Sequence, residues 1–246
     1  MTRSENFLDP EAGTPPVAIV TGASRGFGRA VVAALLDRGW AVVGDARRAA
    51  ELETTARELN SARLVALPGD VTDASHRYAL VAAAINAGPL QLLVNNASRL
   101  GPSPQPALAD YPADQLLAVY HTNLFAPLAL IQQALPVLTV NAGLVVNVTS
   151  DAAVEPYPGW GGYGSSKAAL EQLSAILAAE VPAVPVYAFD PGDMRTEMHQ
   201  AAFPSEDISD RPEPEAKVPA LLQLIDTRPA AGRYRAADLT VAGAHR

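Results

Sequence analysis

Short, wholly apolar runs alternate along this chain with longer segments whose apolar residues recur every three or four positions. Val17-Ala18-Ile19-Val20 is the first run, and residues 29–38 behind it carry helical spacing. Ala41-Val42-Val43-Gly44 precedes a helical segment over 49–59. Arg63-Leu64-Val65-Ala66-Leu67 leads to Asp70-Val71 and then to a helix that Asp73 caps and that runs to residue 86. A fourth run over 90–94 ends at Asn95-Asn96-Ala97. A Pro-rich loop over 101–106 leads into a long helical region over 112–138, where Pro127 predicts a kink. Leu144-Val145-Val146-Asn147-Val148-Thr149, the helix that begins near Tyr163, and a run over 184–189 extend the alternation to six repeats. Strands apolar on both faces need cover on both sides, and crossover helices supply it. The pattern therefore predicts an α/β fold, a doubly wound parallel sheet with helices on both faces, in a single domain over 17–246. Residues 1–16 read as a flexible arm. The segment after Pro191 is polar and Pro-rich to Pro214, and a helix over 215–225 and a strand Arg233-Tyr234-Arg235 close the chain.

Composition narrows the function classes. The formal net charge of −8 over 246 residues argues against nonspecific binding to nucleic acid or an anionic membrane. There is no cysteine, and the four histidines have no ligand spacing, so neither a disulfide framework nor a metal site is expected. The N-terminal segment lacks a signal peptide's apolar region, and no apolar run reaches membrane-spanning length. A soluble, cytoplasmic protein is the expectation.

Two stretches carry chemistry. Tyr163-Gly-Ser-Ser-Lys167 runs into the helix former Ala168-Ala169-Leu170-Glu171, so Tyr163 and Lys167 lie one above the other on one helix face. An ammonium one turn from a phenol favours the phenolate and should bring the phenol's pKa of about 10 toward the working range. Ser150 ends the preceding strand, where its hydroxyl could hold a substrate oxygen beside Tyr163. The other stretch, Thr21-Gly-Ala-Ser-Arg-Gly-Phe-Gly28, lies between a strand and a helix. Its glycines let backbone amides and the helix N-terminus approach a pyrophosphate, although the spacing is G-x-x-x-G-x-G.

The glycine turn, Asn95-Asn96-Ala97, Asn123, Ser150, Tyr163 with Lys167, and Pro191-Gly192-x-x-x-Thr196 together resemble the short-chain dehydrogenase/reductases, in that family's order and across nearly the whole chain from Val17. The resemblance implies a Rossmann-type fold, a nicotinamide cofactor and an Asn123–Ser150–Tyr163–Lys167 catalytic set. Tyr163 would be the general acid or base, with Lys167 lowering its pKa and binding the ribose. Ser150 would polarise the carbonyl, and Asn123 would hold a water linking Lys167 to solvent. It also implies that Gly22, Ser24, Arg25, Gly26, Phe27, Gly28, Asp70, Val71, Asn96, Ala97, Ser98, Pro191, Gly192, Met194 and Thr196 bind the cofactor. Arginine forks suit the 2′-phosphate of NADP and a carboxylate suits the free ribose of NAD. Arg47, Arg48 and Arg25 thus point to NADP, and Asp45 is the residue that favours NAD.

Three departures from the family pattern qualify the reading. Ser98 stands where a glycine follows Asn-Asn-Ala. The Ser150–Tyr163 loop carries Asp151, Glu155, Tyr157 and Trp160. The chain finishes Leu239-Thr-Val-Ala-Gly-Ala-His-Arg246, without the usual apolar-Asp-Gly-Gly ending, which bears on tetramer contacts but leaves a homodimer or homotetramer as the expectation. Residues 193–212 fall where the family carries a substrate lid. Asp151, Tyr157, Trp160, Asp193, Met198 and Phe203 are the candidate substrate contacts, and the acids among them favour a neutral or cationic substrate. The expected function is hydride transfer between NADPH and a small-molecule carbonyl, or the reverse oxidation of a secondary alcohol. An NAD-linked dehydrogenase and a non-catalytic NADP-binding sensor are the alternatives.

Overall fold

Five of the apolar runs become strands with every residue buried: β1 (Val17–Val20), β2 (Ala41–Ala46), β4 (Leu90–Asn95, with only Gln91 partly exposed), β5 (Leu144–Val148) and β6 (Val186–Asp190). The edges are β3 (Leu64–Pro68) and β7 (Gly232–Arg235), whose burial is partial, as their more polar sequences require. In the computed structural model, which describes residues 13–239, these form one seven-stranded parallel sheet in the order β3-β2-β1-β4-β5-β6-β7. The predicted arm lies mostly outside the described residues. So does all of the C-terminal finish except Leu239. The end of the arm is not loose, since the Pro16 carbonyl accepts the Ala41 amide at 2.9 Å.

The strand alternation divides the core into two layers. Ala18, Val20, Leu92, Val94, Val146 and Phe189 face a cluster that includes α1 (Gly26–Asp37) and α8 (Val218–Thr227). Val17, Ile19, Leu90, Leu93, Val145 and Val186 face another with α3 (Ala74–Ala87) and α5 (Ala126–Val140). Between these come α2 (Ala49–Leu59), α4 (Ala113–Tyr120), α6 (Gly161–Glu180) and the short α7 (Glu197–Ala202). Asp73 caps α3 as its sequence predicts, its side chain accepting the Ser75 amide.

The long helical region departs from expectation in two ways. Its interruption is a π turn at His121–Phe125, and Pro127 follows directly after it in α5. The combined stretch Ala113–Val140 is also, by length and composition, long and apolar enough to cross a membrane, contrary to the sequence expectation. Here Leu130, Ile131, Ala134 and Leu138 are buried against the sheet. The last helix starts later than predicted because residues Pro214–Lys217 form a 3₁₀ turn and the α-helix proper begins at Val218, with Pro219 in its first turn.

The strand order reverses between β1 and β4. In a doubly wound sheet, that point leaves a crevice beyond the carboxyl ends of the strands. The glycine turn and Asn96 follow the carboxyl ends of β1 and β4, which border it, and Ser150 and Pro191-Gly192 lie beyond the carboxyl ends of β5 and β6 on the same edge of the parallel sheet.

Candidate functional site

A cavity of about 690 Å³ runs along those strand ends. Its floor is joined by Thr21, whose hydroxyl accepts the Asn96 and Ala97 amides at 3.0 and 2.9 Å. The Asn96 side chain returns bonds to the carbonyls of Thr21 and Gly22. Gly22 and Gly26 take positive φ, which glycine adopts freely. Gly28 does not reach the cavity: a side chain there would meet the Gly22 carbonyl at 2.2 Å, so its bareness lets α1 pack against the turn. The other cofactor candidates, Ser24, Arg25, Phe27, Arg47, Arg48, Asp70, Val71, Asn96, Ala97, Ser98, Pro191, Gly192, Met194 and Thr196, all line the cavity.

The residues present fit a dinucleotide. Helix α1 opens with no side-chain cap and no acid in its first turn, so its first amides are left for an anionic ligand. Arg47 is exposed at the cavity edge and has no side-chain partner among the described residues. Arg48 is held by Glu51 at 2.5 Å, and Arg25 by Glu197. Asp45, the residue that favoured NAD, is 1 % exposed and turned inward. Its carboxylate accepts the Gly22 amide at 3.0 Å and faces His76 Nε2 at 3.1 Å. Burial raises its pKa, and His76 and the Gly22 amide oppose that rise.

At the far end stand Tyr163 and Lys167, on one face of α6 and both buried. The electrostatics differ from expectation. Burial pushes the Tyr163 phenol up to about 12, reinforced by Asp190 and Asp151 and opposed by the Ser98 and Ser150 hydroxyls. Burial brings Lys167 down to about 8, with Glu171 opposing. The lysine does not reach the phenol oxygen. Its Nζ donates to the Val148 carbonyl at 2.7 Å and lies 5.6 Å from the Tyr163 ring centroid. One acceptor for three donors among the described residues leaves two hydrogens of this cavity-lining ammonium without a partner.

Asn123 is fully buried on the π turn and does not line the cavity. Its Oδ1 accepts the Arg99 amide and the Ser98 hydroxyl, and its Nδ2 donates to the Arg99 carbonyl and Ser166 Oγ. That side chain is a brace between three segments, so the water link expected of it cannot run through its amide group. Ser150 donates to Asp151 Oδ1 at 2.8 Å, and Tyr157 donates to Asp151 Oδ2 at 3.0 Å.

Of the substrate candidates, Asp151, Trp160, Asp193 and Met198 line the cavity. Tyr157 and Phe203 do not; they stand against Trp160, with ring centroids 6.3 and 5.7 Å away. Trp160 in turn meets the Tyr163 ring edge-on at 5.8 Å. The acids expected to face a substrate are engaged: Asp151 by three neutral donors, Asp193 by Arg211 and His199.

Several residues of the site escaped the sequence reading. Asn147 donates to Ser174 and accepts from Asn95, a buried polar bridge linking β4, β5 and α6. Its polarity inside an apolar strand was the visible signal. Arg233 on β7 reaches Glu171 and Asp190, each at 2.9 Å, and Glu171 also accepts the Thr149 hydroxyl. Nothing local in the sequence joins those residues.

The family model "short chain dehydrogenase" matches residues 16–207. The chain is 37 % identical over 185 residues to a serine 3-dehydrogenase of Agrobacterium fabrum, covering 73 % of this chain and 72 % of that one. It is 33 % identical over 216 residues to an (S)-benzoin-forming benzil reductase of Saccharomyces cerevisiae, covering 84 % and 80 %. Among solved structures it is similar to an F189W actinorhodin polyketide ketoreductase with NADPH, at a TM-score of 0.81 and 26 % identity over 90 % of this chain and 95 % of that one.

Proposed function

The chain belongs to the short-chain dehydrogenase family, and from that premise we propose that it reduces ketones with NADPH and runs the reverse oxidation of secondary alcohols at the same site. The observation that carries this reading is a buried phenol in the cavity lining, one helical turn from a buried lysine and beside the Ser98 and Ser150 hydroxyls. Bound across the crevice, the dinucleotide supplies the hydride. Tyr163 gives its proton to the developing alkoxide, a far stronger base than the phenolate left behind. Lys167 binds the ribose through its free hydrogens and offsets the phenolate charge. Positioned proton transfer of this kind is worth about 10²- to 10⁴-fold in rate.

Arg47 supports NADP, because a guanidinium at the cavity edge with no side-chain partner among the described residues suits a 2′-phosphate. The inward-turned Asp45 supports the same choice. Glu51, which lines the cavity beside Arg48, favours the NAD-linked reading instead. Residues 193–212 serve as the substrate lid. Trp160, Met198 and Leu100 make an apolar wall beside Tyr163, which suits a ketone on a flat apolar body. The benzil reductase relative is named for such a diaryl substrate. The exposed Leu117, Phe125 and Ile176 on α4, the π turn and α6 support a homodimer through these helices.

The test is NADPH and NADH consumption over a panel of aliphatic, aryl and polycyclic ketones, with Tyr163→Phe as the blank. NADPH turnover on aryl ketones, abolished in the variant, is the expected result. Turnover with NADH alone would move the assignment to NAD. Tight NADPH binding without turnover across the panel would favour the sensor alternative.

A further inference from the structure

Alternation along β7 puts Arg233 on the sheet face opposite Tyr234, which packs edge-on against Tyr187. In register, Arg233 stands beside the small Ala188 of β6, and the next residue of β6 on that face is Asp190. The guanidinium spans two carboxylates: Nη2 donates to Asp190 Oδ2 and Nε donates to Glu171 Oε1, each at 2.9 Å. Both carboxylates hold a part of the site with their other bonds. Asp190 Oδ1 accepts the Gly192 amide at 2.9 Å, fixing a turn that lines the cavity. Glu171 lies one helical turn beyond Lys167 on α6 and accepts the Thr149 hydroxyl at 2.7 Å, next to Ser150. The Ser150 carbonyl accepts a longer bond from Arg233 Nη2 at 3.4 Å. One side chain thus joins the ends of β5 and β6 to the helix that carries Tyr163 and Lys167.

We propose that Arg233 is a positioning residue for the reaction, its fork holding Ser150 and the Pro191-Gly192 turn in place against Tyr163 and Lys167. The proposal rests on the reading of Tyr163 as the proton donor. Such a cluster adds little to stability by itself. The Glu171 and Asp190 side chains are 15 % and 4 % exposed, and taking carboxylates so far out of water is costly. Apolar side chains of similar volume often serve folding as well or better. What they cannot do is balance charge around the Tyr163–Lys167 pair. Asp190 disfavours the Tyr163 phenolate, and Glu171 favours the Lys167 ammonium. Among the described residues, Arg233 is the cation paired with both acids. It acts at the Tyr163 end of the cavity, away from Arg47, so it governs turnover more than cofactor affinity.

Arg233→Lys keeps the positive charge and loses the planar fork that spans two carboxylates. Its kcat for NADPH-dependent reduction of an aryl ketone should fall about 10- to 100-fold, as misplaced reacting groups require. KM for NADPH should change less than about threefold. Glu171→Gln opens the same clasp from the other side and should give a smaller fall. The double variant should lose no more than Arg233→Lys alone, because the two residues act as one unit. Urea unfolding checks that each variant is folded under the assay conditions. A readout without turnover is the emission of bound NADPH, which reports how firmly the nicotinamide end is held. It should weaken in Arg233→Lys while the dissociation constant holds. A folded Arg233→Lys with kcat within about twofold of wild type, or a loss confined to the unfolding midpoint, would overturn the proposal and leave Arg233 a tie for β7. If the wild type reduces no ketone, the reductase reading fails by itself and the emission decides: weakened, Arg233 still positions the turn; unchanged, it does not.

Discussion

Arg47 and Arg48 are neighbours in sequence with unequal freedom. Arg48 is tied to Glu51, and a 2′-phosphate would have to compete with that carboxylate, whereas Arg47 gives up nothing. Hydrogen bonds to a charged group are worth about 1.5–3 kcal/mol. Arg47→Ala should therefore raise KM for NADPH about tenfold or more and leave KM for NADH nearly unchanged. Arg48→Ala should have a smaller effect. Glu51→Gln should lower KM for NADPH, because it frees Arg48 and removes an anion from the phosphate's path. Steady-state kinetics of the three variants with both cofactors decide the matter. Equal losses with NADPH and NADH in Arg47→Ala would mean that the residue serves the turn rather than the phosphate.

Among the elements, the junction of β1 with α1 is the least forgiving. A methyl at position 28 would stand 2.2 Å from the Gly22 carbonyl and 2.4 Å from Asn96 Nδ2, and both are fixed by the bonds that tie the turn to β4. Gly28→Ala should cost about 1–3 kcal/mol in urea unfolding, the usual range for overpacking, and weaken NADPH binding with it. A fully stable variant would show that the turn yields. This junction was legible in the sequence, because strands buried on both faces read as apolar runs and a glycine-rich turn between strand and helix has one main use. The end of β2 was not: Asp45 looks like a strand terminus, yet β2 continues through it because the carboxylate is satisfied inside by Gly22 and His76. The π turn that buries Asn123 was equally hidden, since nothing in His-Thr-Asn-Leu-Phe sets it apart from an α-helical turn. The Tyr163–Lys167 spacing was right as geometry, but its electrostatics depended on burial, which four residues cannot report.

For the molecule as a whole, that burial makes stability depend on pH in a way that isolates Lys167. In the unfolded chain the ammonium keeps its proton up to its ordinary value near 10.5, while in the folded protein it loses it above about 8. Below 8 both states are protonated, and Lys167 adds no slope. Between 8 and 10.5 the unfolded state binds more protons, so the Lys167 contribution to stability rises with pH. Tyr163 acts in the opposite sense at higher pH: its folded value of about 12 lies above the ordinary 10, so the unfolded state loses its proton first and stability falls as pH climbs beyond 10. Comparing wild type with Lys167→Met at pH 7 and pH 9.5 keeps the measurement below most of the tyrosine effect and cancels the groups common to both proteins. Wild type should gain on the variant by about 1–2 kcal/mol over that interval, read from urea unfolding at each pH. A gain of zero would mean that the ammonium is as well solvated in the fold as in the chain. Its single bond to the Val148 carbonyl would then be supplemented by water, and the lysine would meet the dinucleotide fully charged at every working pH.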